Sequence, residues 1–499
     1  MASARFLTIP TSGIERFSPH SRAILEIRDS RDLEVLEKIY KNSVLLGDQS
    51  ETGWKIHYAQ GDFNMTSDSH LFPPRPKWEA KGYKPDEYGR WISPDGDAAL
   101  PLYQGIMLNV LDACYKGWKK GTGLQATWEA IPHDRKSLQP QFLVSSRDYF
   151  GSDKIGRGWK LGYRRVARTT DSRTWIGAPI ADLPSGDSIF HLVSQPEDPT
   201  NAMVLAALLS SYVYDWQLRN RLGGTNLSWF ILAETPCVAP NDPLSAAIGP
   251  AVLSVVGTEV RYAPSWLWWA ARVGSLKHSP WRRHWAITLH ERMRLRCVLD
   301  AVAAELYGLA WNDLSWILRD CDHPIALLNT GSFTRSLDPK GFWRVDKDRD
   351  PEMRHTVLTL IAFHDLKRRI AEWPDDRMAV ICSFCSIDDE GWQIPENLRL
   401  ADFGLGHGAL AKENRSLRQE FGPRWYPWQL EEPVSRSWAD CETHAHRLLG
   451  DYAFQKLTRE AGVPIPLEGE KFGADKAAEP QPSFGTSGQG SLSFGEDGD

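Results

Sequence analysis

The stretch RDYFGSDKIGRGWKLGYRRVARTTDSRTWIGAPI, residues 147–180, decides how the rest of the chain is read. Between Lys154 and Arg173, seven basic residues (Lys154, Arg157, Lys160, Arg164, Arg165, Arg168 and Arg173) stand against one acid, Asp171, in a chain of formal net charge -6. Gly156, Gly158 and Gly162 space them, and Trp159, Tyr163 and Trp175 lie among them. A local basic island in an acidic protein suits phosphate contact combined with base stacking or wedging. The same residues suit a solvated strand pair with ordinary surface arginines, and charge pattern alone leaves both readings open.

Short β-like runs surround this island between about residues 101 and 240: ATWEAIP, QFLVSS, YRRVAR, TWIGAPI and IFHLVS alternate with turns. They are followed by NAMVLAALLSSYVYDWQLRNRL, read as one helix that carries Arg219 and Arg221 at its end and is capped by Gly223 and Gly224. Upstream, SRDLEVLEKIYKNSVLL has apolar residues at helical spacing behind Ser30 and Asp32, and WKIHYAQGDFNMT is strand-like. Residues 73–100, rich in Pro, Gly and charge, read as an irregular inserted loop. Beyond Pro240 the pattern turns helical, in HERMRLRCVLDAVAAELYGL, WNDLSWILRD and RHTVLTLIAFHDLKRRIAEW, the last stopped by Pro374. RMAVICSF and GWQIP recover β character, and SWADCETHAHRLLGDYAFQKLTREAG reads as a helix pair. From about Lys471 the chain is Gly, Ser, Pro and acid, a composition expected to stay disordered. The expected class is α+β: a mixed β region followed by a mostly helical one and a disordered tail.

With 499 residues, 42% of them hydrophobic and 24% charged, the chain is long enough for several domains. Its seven cysteines are scattered and odd in number, and no basic start leads into a long apolar run, so a reducing cytoplasm is expected. The most apolar run, near residues 201–214, is too short to span a bilayer. Twenty-two tryptophans are expected to serve mainly as core or platform residues.

Several separated motifs together carry a resemblance. PLYQGIMLNVLD is similar to the PLYEGKM element in the specificity region of type IIG restriction-modification enzymes and related adenine-specific DNA methyltransferases of phage-defence systems. SPHSRAILEI with WKIHYAQGDFNMTSDSHLF resembles the segment joining their methyltransferase and recognition domains. YRRVARTTDSRTWIGAPIADLP resembles their arginine-containing strand and turn, and VLAALLSSYVYDWQLRNRLGGTNLSWFILAETPCVAP resembles their helix with an Arg and a Gly pair before a proline-rich strand. ERMRLRCVLDAVAAELYGLAWNDLSWIL and LDPKGFWRVDKDRDPEMRHTVLTLIAFHDL resemble their C-terminal helices, so the likeness covers roughly residues 15–460. On this resemblance, residues 1–72 are a connecting segment, 73–240 a DNA target-recognition domain, 241–374 a helical domain, 375–465 an α/β segment and 466–499 a tail.

Two departures limit what carries over. Gln104 and Ile106 replace the charged residues of the PLYEGKM element. The Asp/Asn-Pro-Pro-aromatic motif that holds a flipped adenine is missing, since the only adjacent prolines, Pro73 and Pro74, precede Arg75. No nuclease constellation is found, and the chain alone is expected to be inert, its catalytic half either lost or supplied by a partner methyltransferase that would bind S-adenosylmethionine. LRLADFGLGHGALAKE has Asp402, Gly404, Gly406 and Gly408 in the layout of a nucleotide or S-adenosylmethionine loop, but no second buried strand ending in an acid follows. Cys382 and Cys385 form half a zinc motif without a second half, and His364, His407, Cys441, His444 and His446 add no ligand spacing.

The expected function is therefore sequence recognition on double-stranded DNA for an adenine-N6 methyltransferase of a restriction-modification or phage-defence system. Lys154, Arg157, Lys160, Tyr163, Arg164, Arg165, Arg168 and Arg173 would contact DNA, with Trp118, Lys119, Lys120, Arg219 and Arg221 as further contacts and no catalytic, cofactor or metal residue in this chain. Two alternatives stay open: a scaffold subunit of a defence complex that binds protein, and a stand-alone S-adenosylmethionine enzyme using the GLGHG loop.

Overall fold

A computed structural model of the chain describes residues 9, 11–151, 160–180, 183–194, 199–240, 242–407 and 415–461. The architecture is α+β. Its central sheet has four antiparallel strands in the order Gly177–Ile180, Lys160–Arg164, Ile189–Val193, His57–Ala59. Gly162 lies opposite Ala178 on one side and His191 on the other, and Leu192 pairs with Tyr58. Every residue of Gly177–Ile180 and Ile189–Val193 is buried, which is why these runs read as continuous apolar segments rather than alternating ones.

The long helices predicted from periodicity are present: Leu289–Leu306, capped by Thr288, whose hydroxyl accepts the Glu291 N–H, packs against His355–Glu372. Val434–Ala461 is the expected helix pair, broken at Gly450, whose φ of 70° lies in the left-handed region that glycine tolerates. The main hydrophobic core runs from Phe17 through Trp54, Trp175, Tyr214 and Trp269 to Phe454, so residues from the first sixty are built into the same interior as the helices. Arg31 and Lys38 of the helix Ser30–Lys41 both reach Asp313, at 2.6 and 2.8 Å. Among the described residues no helix is long and apolar enough to cross a membrane.

Three expectations are corrected. Residues 73–100 are not an irregular loop: a short helix, Arg75–Glu79, precedes the strands Lys84–Pro85, Trp91–Ile92 and Ala98–Pro101, which continue onto Leu143–Ser145 in a second antiparallel sheet. Their own small core of Trp78, Tyr83, Trp91, Ala99 and Leu143 stabilises them, and Asp86 tightens the first turn by accepting the N–H groups of Tyr88 and Arg90. The apolar segment 201–222 is two helices, Pro199–Leu209 and Tyr212–Arg221. Ser211 caps the second through the Tyr214 N–H, and Asp300 accepts the Tyr212 N–H at 2.8 Å, so the break is fixed by an acid 88 residues away. The chain leaves this second helix through an extended Leu222 rather than through a capping glycine. Finally, Arg377–Cys385 is a helix and not a strand; Ile381, Phe384 and Cys385 form its buried stripe at helical spacing, while Cys382 and Ser383 face outward. GWQIP is irregular, and the nearby pairing is a two-residue ladder of Asn397–Leu398 with Arg415–Ser416.

Candidate nucleic-acid interface

Most of the basic island serves the interior. Lys160 is 1% exposed; its ammonium donates to the Leu183 carbonyl at 2.9 Å and lies 3.3 Å from Asp62, which also receives the Ser185 N–H and hydroxyl. Tyr163 is buried, stacked on Trp175 at 4.9 Å, with its hydroxyl donating to the Leu227 carbonyl; burial raises its pKa. Arg173 and Arg219 share the buried Asp215, through their Nε groups at 2.7 and 2.8 Å. Burial alone would raise the Asp215 pKa, but Arg219 and Arg173 together hold it below the usual carboxylate value. Arg219 also donates to the carbonyls of Lys340, Asp171 and Ser172 and lies over the Phe342 ring. Arg221 binds Glu234, the Tyr40 hydroxyl and the Ser18 hydroxyl. Trp118 is buried, donates to the Gly121 carbonyl and lies under the Arg75 guanidinium at 4.6 Å.

Lys160, Tyr163, Arg173, Arg219, Arg221 and Trp118 are therefore corrected from DNA contacts to structural residues. A net charge count reports how many cations a segment holds, but their burial depends on partners such as Asp62 and Asp215 that lie far away in sequence. Arg164 is intermediate: its guanidinium donates to the Leu108 carbonyl, and burial lowers its pKa. Lys154 and Arg157 lie outside the described residues.

The cations left at the surface are Arg165, Arg168, Lys119 and Lys120. Lys119 and Lys120 belong to the separate hairpin Lys116–Lys120/Thr127–Ala130, where Lys119 pairs with Glu129. Arg165 and Arg168 stand on a short extended strip whose backbone is zipped to the loop after the Gly pair. Leu227 N–H donates to the Arg165 carbonyl at 2.8 Å, Ala167 N–H to the Thr225 carbonyl at 2.9 Å, and Val166 bridges to Asn226. Arg165 is only weakly engaged by Asp187 at 3.9 Å, and the Arg168 guanidinium has no bond to the described residues.

Residues that sequence reasoning did not single out complete this surface. Val166 is 56% exposed and Phe230 is 66% exposed, and Gly223, Gly224, Thr225 and Asn226 are all exposed. Tyr58 stacks on Trp229 at 5.7 Å with a 15° interplanar angle. An exposed apolar side chain beside exposed arginines and a small-residue loop is the composition a nucleic-acid groove contact requires. The available signal is GGTNLSWF, in which Gly223 and Gly224 suggest a helix cap and the exposed Phe230 carries no periodic pattern of its own.

The rival glycine loop is occupied by protein contacts. Gly404 and Gly406 have φ of 69° and 92°, but the Gly406 amide donates to Asp322 at 2.8 Å, and His407 also approaches Asp322. Gly408 lies outside the described residues. Comparison of the chain with protein-family models, with curated proteins and with solved structures gives no match.

Proposed function

We propose that this chain is the DNA sequence-recognition part of an adenine-N6 DNA methyltransferase of a restriction-modification or phage-defence system, acting with S-adenosylmethionine chemistry carried by a catalytic partner. The observation that supports DNA binding most is the strip Arg165–Arg168 paired to Thr225–Leu227, with two solvent-facing arginines beside exposed Val166, Asn226 and Phe230. In this reading Arg165 and Arg168 engage phosphates or a guanine edge, Asn226 is available to an adenine edge, and Phe230 contacts a base step. The adenine specificity and the partner rest on the sequence resemblance.

The test is duplex-DNA binding by fluorescence anisotropy across a salt series. Replacing both Arg165 and Arg168 by Ala is expected to weaken binding and to reduce the magnitude of the slope of log K against log salt by roughly 2. Wild-type affinity with an unchanged slope removes the proposal. The scaffold alternative is favoured by a different segment, in which Tyr426, Trp428 and Leu430 are each exposed while the intervening Gln429 is anchored to the Arg282 carbonyl. It requires negligible DNA affinity at low salt.

A further inference from the structure

A cavity of about 10 Å³ lies where the Val110–Leu111 segment meets the helices Pro199–Leu209, Leu289–Leu306 and His355–Glu372. Its polar lining is Arg173, Ser210, Arg296, Asp300 and His355. Three buried atoms on these residues lack a hydrogen-bond partner among the described residues, Arg173 Nη1, Ser210 Oγ and His355 Nε2, on residues 7%, 4% and 1% exposed. Arg296 is the polar lining residue that reaches solvent, and no hydrogen bond or ion pair joins its guanidinium to the described residues.

The surrounding charges do not cancel. Arg173 and Arg219 share one carboxylate, Asp215. Asp300 receives the Tyr212 N–H and faces His355 Nε2 at 3.0 Å, while burial and the nearby Arg296 lower the His355 pKa against the opposing pull of Asp300. Arg292, one turn before Arg296, is buried and, among the described residues, donates to the carbonyls of Val255 and Ala286, at 2.7 and 3.1 Å. The neighbouring acids Asp112 and Asp346 have their own cations, Lys136 and Arg349. Three buried arginines (173, 219 and 292) and the half-buried Arg296 thus stand around the buried carboxylates Asp215 and Asp300, and Asp112, the acid acting on Arg292, is shared with Lys136. An uncompensated buried positive charge is costly, and an anion that bonds the free donors relieves it.

We propose that this cavity is an anion site, taking a chloride ion or a single oxygen of a phosphate group on Arg173 Nη1 and Ser210 Oγ, with Arg296 closing over it from the solvent side. The volume suits one water-sized group, which limits the ligand to a monatomic ion or one phosphoryl oxygen. Nothing in this site depends on the DNA-binding strip.

The test compares melting of the full chain in sodium chloride, sodium phosphate and sodium gluconate at matched ionic strength, for wild type, Arg296→Gln and Ser210→Ala. Wild type is expected to show a saturable rise of roughly 1–2 °C at ten times the half-saturating concentration of chloride or phosphate, relative to gluconate. A rise in chloride alone assigns a spherical ion; one in phosphate alone assigns a phosphoryl oxygen. Arg296→Gln is expected to melt like wild type in gluconate and to lose the anion-dependent rise, while Ser210→Ala shifts half-saturation several-fold. Equilibrium dialysis of wild type against radiolabelled chloride or phosphate, expected to give one ion per chain, stands independently of how the variants fold. Equal melting in all three salts, an undiminished rise in Arg296→Gln, or no bound ion in dialysis overturns the proposal and leaves a water-filled cavity.

Discussion

Replacing Asp215 by Asn tests whether the arginines of the basic island are structural. Asp215 has no solvent exposure and holds three donors: Arg173 Nε at 2.7 Å, Arg219 Nε at 2.8 Å, and the Thr174 N–H, which lies 3.0 and 3.2 Å from its two oxygens. Asparagine preserves shape and one acceptor, but its amide hydrogens face a donor, and two guanidinium groups are left in the interior without their carboxylate. Removing one partner of a buried charge network costs about 3–5 kcal/mol. The compact unit containing it spans Met1–Pro464, for which an unfolding entropy of ~2.1 cal/mol/K per residue gives roughly 1 kcal/mol per degree. Scanning calorimetry is therefore expected to show a melting temperature about 3–5 °C lower, whereas Arg168→Ala, at the surface, shifts it by about half a degree or less. Asp215→Asn melting within a degree of wild type would falsify the structural assignment and return Arg173 and Arg219 to the list of possible DNA contacts.

Gly249→Ala puts a methyl group 1.9 Å from the Trp269 ring, which is itself buried against the helix Asp242–Val256, so overpacking is expected to cost about 1–3 kcal/mol and to broaden or lower the thermal transition. His284 gives a pH-dependent counterpart: burial holds its pKa down to about 4, with Nε2 at 2.9 Å from the Leu276 carbonyl. Between about pH 4 and 6.5 the unfolded imidazole takes up a proton and the folded one does not, so its contribution is complete above pH 6.5 and declines on acidification, by about 2 kcal/mol at pH 5. His284→Gln is expected to show a smaller loss of melting temperature between pH 7 and pH 5 than wild type; an equal loss contradicts the assignment.

The α+β class and the long helices were legible because their signals are local. Leu295, Val298, Leu299 and Val302 recur at helical spacing within one continuous run. The helix Arg377–Cys385 was misread because Val380, Ile381 and Phe384 favour strands intrinsically, while their actual spacing buries one helical stripe. The break at Ser210–Ser211 depends on Asp300, and the small sheet in residues 73–101 depends on pairing with Leu143–Ser145, neither of which local pattern contains. The candidate interface was legible in position but not in membership. The island's arginines were visible, yet only Arg165 and Arg168 of its described cations are free of a bond to a buried acceptor, and the exposed neighbours Asn226 and Phe230 come from a loop and the short helix Trp229–Ala233 about sixty residues later.

The attachment of Arg31 and Lys38 to Asp313 bears on synthesis of the chain. The ion pairs span 282 and 275 residues, and at ~5–20 residues per second a ribosome needs roughly 15–55 s to make that length. For that interval the helix, with its buried Val35, Leu36 and Ile39, has been translated and the acid that holds Arg31 and Lys38 has not. Pausing translation before residue 313 should therefore leave a nascent chain whose amino-terminal helix is protease-sensitive and chaperone-bound, and releasing the pause should protect it.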